Sequence, residues 1–352
     1  MKRAVLRDIK HMAIESVDKP SCPSDGLVVK MKTCAVCATD VKIYNYGHRL
    51  LKLPRVLGHE LAGEIESVGE EIDGSFKVGQ RVAVCAGINC GVCDCCLRAA
   101  PSMCDDLEAF GYHYDGGYQE YMAVPGKAVR CGGVNILSDT LSFEEASIAE
   151  LLACSINGQR LSDFQMGESV LVIGAGPVGI LHAQLARSRG AGAVWLADIV
   201  PEKLDLAREI CAGGLTGTLE SNDAEVFLGE VRRVTGGVGF DQVMLCCGAP
   251  AAQQLGLHCV AKMGCVNFFG GLPKGNSNVV LDTNQIHYKQ CRVVGTHGSS
   301  PLENRMALRM IEQGLVDAKS LVTDVITLDG LEDALQPGGG NAERLKSVVR
   351  FD

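Results

Sequence analysis

Cys90, Cys93, Cys96 and Cys104 fall within one short stretch, with two, two and seven residues between them. Four thiolates from a single loop can close a tetrahedral zinc site with no open position, which makes such an ion structural. Gly91 lets the loop wrap the ion, and Cys95 permits a different register; the even spacing through Cys96 is preferred. A redox Cys-x-x-Cys pair would need two of these thiols, not four. A second set of metal-binding side chains is spread along the chain: Cys37 with Thr39 and Asp40 close behind, Gly58-His59-Glu60, and Glu150. A thiolate, an imidazole and a carboxylate supply three ligands and leave a fourth position for water or substrate, the pattern of a catalytic zinc. Singly each is weak, since a lone histidine is more often structural and a lone helical glutamate more often solvated.

The third chemistry-bearing segment is Val170-Leu-Val-Ile-Gly174-Ala-Gly176-Pro177-Val178-Gly179. A buried strand running into G-x-G-x-x-G and a helix is the context a dinucleotide-binding turn requires. Gly174 allows the tight turn, Gly176 lets the backbone approach a pyrophosphate, and Gly179 lets helix and strand pack. The helix N-terminus then offers unpaired N–H groups and a positive dipole end. Asp198 closes the next strand, where a carboxylate accepts from the adenosine ribose hydroxyls and repels a 2′-phosphate, so NAD is expected over NADP. Lys203 is placed to approach the same ribose.

Positioning these groups takes two kinds of structure. Residues 1–130 read mainly as β, with strands at Val28–Lys32, Glu64–Val68 and Arg81–Val84 separated by turns such as Asp73-Gly74. Ser142-Phe-Glu-Glu145 is a capping box, predicting a helix through about residue 161. From 169 onward short apolar runs alternate with helical segments. Strands are expected at Val170–Ile173, Val194–Ala197, Gln242–Cys246 and Cys265–Phe269, buried on both faces as in a parallel sheet. A second capping box, Ser300-Pro301-Leu302-Glu303, opens a later helix. The loop His297-Gly-Ser-Ser300 before it serves either the cap alone or the lining of a ligand cleft. Gly338-Gly339-Gly340 reads as a turn before a last strand, Lys346–Phe351. An α/β insert at 157–290 within a β-rich frame is the resulting organisation.

The 352 residues suit two domains, and 47 % hydrophobic with 21 % charged residues is ordinary globular composition. A net charge of −9 without a basic run argues against nucleic acid or an anionic membrane as partner. The longest apolar stretch, Val170 to Ala183, is short for a span and broken by glycines and Pro177. Met1-Lys2-Arg3-Ala4-Val5-Leu6 lacks a signal-peptide core. The 17 cysteines, an odd number in a long chain, fit reduced thiols better than a secreted disulfide framework. A soluble cytoplasmic protein is expected.

Taken together, Cys37-x-Thr39-Asp40, Gly58-His59-Glu60, the four-cysteine lobe, Gly174-x-Gly176-x-x-Gly179 and Asp198 stand in an order that resembles the zinc-containing medium-chain alcohol dehydrogenase family over essentially the whole chain. The resemblance implies a GroES-like β-barrel catalytic domain, residues 1–156 and 291–352, with an inserted Rossmann NAD-binding domain, residues 157–290, and nicotinamide and catalytic zinc in the cleft between them. Glu150 in Ala149-Glu150-Leu-Leu points to the sorbitol, polyol and threonine dehydrogenase branch, although Leu151 stands where that branch usually has Pro and Ala38 where the family usually has Gly. The resemblance implies Cys37 and His59 as zinc ligands, with Glu60 or Glu150 as the third. One thiolate plus one carboxylate neutralises Zn²⁺, so one glutamate is expected to bind at a time. Thr39 stands where the family relays the proton outward, with His48 a candidate for the far end. A homodimer or homotetramer is implied.

The expected reaction is oxidation of a secondary alcohol on a polyol or sugar-alcohol with hydride transfer to NAD. Sugar phosphates are a second possibility, with Lys289 and Arg305 as phosphate partners, and a threonine-type 3-hydroxy amino acid a third. The pocket should draw on loops Tyr44–Leu53 and Phe110–Tyr118. A non-enzymatic nucleotide-binding relative, or a zinc-free reductase of alkenes or quinones, would have no need of these ligands.

Overall fold

The computed structural model describes residues 1–273, 275–336 and 344–352. The expected turn at Gly338-Gly339-Gly340 lies outside the described residues. The chain divides into two units: Met1–Ala153 with Gly298–Gln313 and Ala318–Asp352, and Cys154–His297 with Gly314–Asp317.

The first unit is built on a seven-stranded sheet. Its main path runs Val134–Ile136, Arg81–Val84, Glu60–Val68, Leu27–Ala35, Lys346–Arg350, Val322–Ile326, and Tyr121–Val124 pairs with Leu27–Ala35 off that path. Leu27–Ala35 is the organising strand. Ala35, at its end, lies opposite Glu60 on one side and Val348 on the other. Strict alternation of buried and exposed residues is absent here, because Leu27, Val28, Val29, Met31, Cys34 and Ala35 are all buried. Burial of such side chains contributes roughly 1.5–3 kcal/mol each for the larger ones. The core around them includes Tyr44, Phe110 and Tyr118, with no more than 1 % of each exposed.

The second unit holds a six-stranded, all-parallel sheet in the order Gly217–Glu220, Ala193–Asp198, Ser169–Ile173, Phe240–Leu245, Val260–Phe268, Arg292–Gly295. In chain order this is 3-2-1-4-5-6, the doubly wound dinucleotide-binding topology, whose order reverses beside the first strand. Val170, Leu171 and Val172 are wholly buried, as helices on both faces demand.

Two local expectations change. The capping box at Ser142 forms, with Glu145 N–H donating to Ser142 Oγ, but it opens a short helix, Phe143–Ser147. Ile148 ends that helix, and Ala149–Leu161 is a separate one. The sequence also placed the return to the first unit at 291. Arg292–Gly295 instead pairs in parallel with Val260–Phe268, so the chain divides at Gly298. Among the described residues no helix is long and apolar enough to cross a membrane.

His182, inside helix Pro177–Ser188, is fully buried with neither ring nitrogen hydrogen-bonded. Its ring meets Phe269 edge-on at 4.7 Å. Burial pushes its pKa from 6.5 down to about 3, so it is neutral in the fold. As pH falls below 6.5 the unfolded chain takes a proton that the folded chain refuses. Stability is therefore lost from about pH 6.5 downward until the folded pKa is reached. His182→Leu should remove this loss, gaining about 2 kcal/mol on wild type between pH 7.5 and pH 5. Urea unfolding at the two pH values measures it; equal acid sensitivity in both proteins would refute it.

Candidate functional site

Strand Leu27–Ala35 delivers the chain straight into Cys37, which caps the helix Ala38–Tyr46. Asp40, in that helix's first turn, reaches back so that Cys37 N–H donates to its Oδ2 at 3.1 Å. The same oxygen accepts from Tyr118 Oη at 2.9 Å, and Oδ1 lies 3.2 Å from His59 Nδ1. That last approach is an ion-pair contact and not an aligned hydrogen bond, since neither atom finds a hydrogen-bond partner. Its effect is to fix the imidazole with Nδ1 toward Asp40, leaving Nε2 as the free ligand atom, the usual role of a carboxylate behind a metal-binding histidine.

His59 and Glu60 enter through Gly58, whose φ is +93°. A Cβ there would sit 2.6 Å from Cys34 Sγ and 3.1 Å from the Tyr118 ring, so only glycine fits. One ligand atom each from Cys37, His59 and Glu60 lie within 4.8 Å of one another. Glu150, in the first turn of Ala149–Leu161, is not in that group, although its charge acts on Glu60. The geometry thus gathers Glu60, and not Glu150, with the other two.

Sequence reasoning missed Lys346. Its ammonium, 4 % exposed, donates to Glu60 Oε1 at 2.6 Å, while Glu60 Oε2 is buried with no partner. Lys346 looked like the first residue of an ordinary strand; only the pairing of that strand beside Ala35 puts it here.

The charges show what this pocket suits. Burial, and then the charge of Glu150, push the Glu60 carboxyl up against the pull of Lys346. Burial opposes charge on His59 and Lys346, yet the anions around them hold both pKa values above the ordinary range, through Asp40 and Cys37 for His59 and Glu60 and Cys37 for Lys346. His59 and Lys346 thus report a negative potential around them. An unpartnered carboxylate oxygen, a thiol and an imidazole converging in that potential fit a divalent cation.

The four-cysteine lobe is equally well formed. Cys90, Cys93, Cys96 and Cys104 have all four Sγ atoms within 4.8 Å of one another. Cys93 and Cys104 Sγ are 3.8 Å apart, too far for a disulfide. Four sulfurs about 2.3 Å from a zinc ion sit roughly 3.8 Å from each other. Backbone N–H groups of Val92 and Cys93 donate to Cys90 Sγ, and that of Cys90 donates to Cys104 Sγ. Backbone donors bring the Cys93 pKa down to about 6. Cys95 falls outside the group, in keeping with the even spacing.

In the second unit, Gly174 has φ +113°, a conformation that strains any L side chain, and a Cβ there would crowd Cys246 and Cys247 at 3.2 Å. A Cβ on Gly179 would lie 1.7 Å from Gly174 O. At Gly176 a Cβ would meet nothing, because it faces open space at the helix N-terminus. Pro177 has no N–H, and Val178 and Gly179 precede the first helical bond, Ile180 N–H to Gly176 O. As first-turn residues, Val178 and Gly179 have N–H groups without a partner inside the helix, so the loop suits a pyrophosphate. Asp198 anchors it, accepting from Ala175 N–H (2.7 Å) and Val200 N–H (3.0 Å). Lys203 is partly exposed in the first turn of Pro201–Ile210.

The remaining candidates fare differently. Thr39 is half-buried in the first turn after Cys37. His48 Nδ1 accepts from Leu50 N–H at 3.3 Å, and its ring packs edge-on against Tyr112. Lys289, offered as a phosphate partner, instead donates to His258 O and Val260 O, so its ammonium ties down the end of helix Pro250–Cys259. Arg305 Nε donates to Asn135 Oδ1 at 3.5 Å. Ser300 caps helix Pro301–Glu312, with Glu303 N–H donating to its Oγ.

Comparison with known proteins identifies the family. The Alcohol dehydrogenase GroES-like domain matches residues 23–131 and the Zinc-binding dehydrogenase domain residues 177–313. The chain is 30 % identical to sorbitol dehydrogenase of Bacillus subtilis over 96 % of its length and 93 % of the relative's. It is 30 % identical to L-threonine 3-dehydrogenase of Vibrio parahaemolyticus over 93 % and 92 %. A zinc-binding dehydrogenase of Sinorhizobium meliloti, crystallised with NADP, superposes with a TM-score of 0.90 at 28 % identity, each chain covered to 99 %. The chain belongs to the zinc-containing medium-chain alcohol dehydrogenase family, in its polyol and threonine dehydrogenase branch, and is an oxidoreductase acting on CH–OH groups.

Two outcomes follow from the site. Cys96→Ser should lower zinc content by about one ion per chain while Cys95→Ser leaves it unchanged, as read by elemental analysis. Lys346→Met, which strands a buried carboxylate, should destabilise the metal-stripped protein by about 3–5 kcal/mol, with a Glu60→Gln partner change restoring part of it. A urea titration giving wild-type stability for Lys346→Met would contradict the pairing.

Proposed function

We propose that this protein oxidises a secondary alcohol of a polyol or sugar-alcohol and passes the hydride to NAD, using zinc held by Cys37, His59 and Glu60. The observation that carries the reading is the convergence of those three ligand atoms, in excess negative potential, within 4.8 Å. When bound, zinc supplies a Lewis acid that lets an alcohol ionise near neutral pH, and the nicotinamide supplies the hydride acceptor.

The chain's own residues do the rest. Asp40 holds His59 in the ligating orientation. Lys346 takes up one oxygen of Glu60 and limits that carboxylate to a single free ligand atom. Thr39, partly exposed two residues beyond Cys37, is assigned to relay the proton leaving the alcohol, its hydroxyl oxygen taking that proton as it gives its own outward toward solvent or His48. Glu150, outside the ligand group but close enough to raise the Glu60 carboxyl, is assigned to the water or hydroxyl near the centre. Cys90, Cys93, Cys96 and Cys104 hold a second, structural zinc. Gly174, Gly176, Pro177, Val178 and Gly179 receive the pyrophosphate, and Asp198 with Lys203 the adenosine ribose.

The tying of Lys289 to backbone carbonyls weakens the sugar-phosphate reading. The threonine reading draws its support from relatives of that name. Thiol ligands suit a reducing cytoplasm, and a homodimer or homotetramer belongs to the same reading.

The test is NADH formation over polyols, inositols, sugar phosphates and threonine, with zinc stripped and restored. Turnover of polyols that vanishes on chelation is expected, and turnover persisting without metal would sink the reading. Glu60→Ala should lower kcat by at least about 100-fold with zinc loss, and Glu150→Ala should lower it while keeping zinc. Asp198→Ser should narrow an initial preference for NAD over NADP, measured as the ratio of kcat/KM.

A further inference from the structure

The groups at the metal centre differ in access. Asp40, His59 and Glu60 are buried, whereas Cys37, Thr39 and Tyr112 are half-exposed. These three and the likewise half-exposed Glu150 are open to a substrate reaching the centre. Cys37 is an assigned ligand, Thr39 the assigned proton relay and Glu150 is assigned to the nearby water, which leaves the phenol of Tyr112 without a role.

Tyr112 is held in place. Its ring centroid lies 6.3 Å from that of His59, tilted by 49°, and 5.1 Å from that of His48, nearly perpendicular at 78°. The backbone around it is a tight turn in which the N–H groups of Tyr112, His113 and Tyr114 all point to Ala109 O, and Ala109 N–H donates to His113 Nδ1. The segment that follows is stitched to the strand entering the ligands: Gly116 N–H to Val56 O, Gly117 N–H to Gly58 O, Tyr118 N–H to Leu57 O. A Cβ on Gly116 would lie 2.0 Å from Gly58 O, so loop and ligand segment are in direct backbone contact. Burial keeps the phenol protonated, and Cys37, Asp40, His59 and Glu150 all lie within electrostatic reach of it. A neutral phenol both donates and accepts, which matches the hydroxyl of a neighbouring carbon.

We propose that Tyr112 is a specificity-determining residue that hydrogen-bonds a second hydroxyl next to the reacting CH–OH, selecting vicinal diols and polyols over lone secondary alcohols. The inference rests on the dehydrogenase reading above. A site built to pair a substrate hydroxyl discriminates strongly against the analogue lacking it. A contact made equally in ground and transition states shows in KM.

Tyr112→Phe removes the hydroxyl and keeps the ring packed on His48 and His59. With 2,3-butanediol and 2-butanol as probes and NAD in excess, the diol-to-monoalcohol ratio of kcat/KM should fall about 10- to 100-fold, mostly through KM of the diol. Zinc content is measured alongside. A ratio within about twofold of wild type, whether both activities fall or neither does, overturns the proposal. Wild-type protein that oxidises neither alcohol nor any polyol removes the polyol reading, and this inference with it. Wild-type turnover with an unmoved ratio removes the inference alone.

Discussion

The buried pair between Glu60 and Lys346 is the contact on which the first unit's geometry turns. Isolated burial of either charge costs several kcal/mol, so each is tolerated only because the other is 2.6 Å away. The pair straddles the end of strand Leu27–Ala35, whose last residue faces Glu60 on one edge and Val348 on the other. Three strands distant in sequence are thereby registered at one point, and Cys37 leaves the middle strand just there. The pair also divides the carboxylate, with one oxygen on the ammonium and the other buried without a partner.

Electrostatic balance explains why four acids are compatible with one small centre. Cys37, Asp40, Glu60 and Glu150 bring four potential negative charges, and Lys346 brings one positive. A divalent ion added to these leaves a remainder of one, so both cations are needed to approach neutrality. The expectation that only one glutamate ligates at a time takes a simpler form in this arrangement. Glu60 stands in the group of side chains that could hold an ion, and the charge of Glu150 acts on Glu60 from outside that group.

What the sequence disclosed depended on how local each signal is. The four-cysteine lobe lies within fifteen positions, and the glycine turn carries its strand and helix with it, so both read directly. The parallel strands at Val170 and Val194 were legible because burial on two faces leaves uninterrupted apolar runs. Arg292–Gly295 was not, since an edge strand with two of its first residues exposed shows no such run. The helix break at Ile148 was hidden because no glycine or proline marks it. Lys346 and Tyr112 escaped for a different reason: a lysine opening a strand and a tyrosine in a loop acquire meaning only from partners far away in sequence. That Glu60, and not Glu150, lies within 4.8 Å of the Cys37 and His59 ligand atoms likewise shows only in three dimensions, as both satisfy the same chemical pattern.

The Glu60–Lys346 contact joins residues 286 positions apart. During translation all six strands of the parallel sheet are synthesised before the lysine exists. Until then Glu60 lacks its ammonium partner, and the central strand has an open edge on the side that Lys346–Arg350 will occupy. The order of synthesis thus leaves the strands that carry the metal centre waiting longest for their closing neighbour.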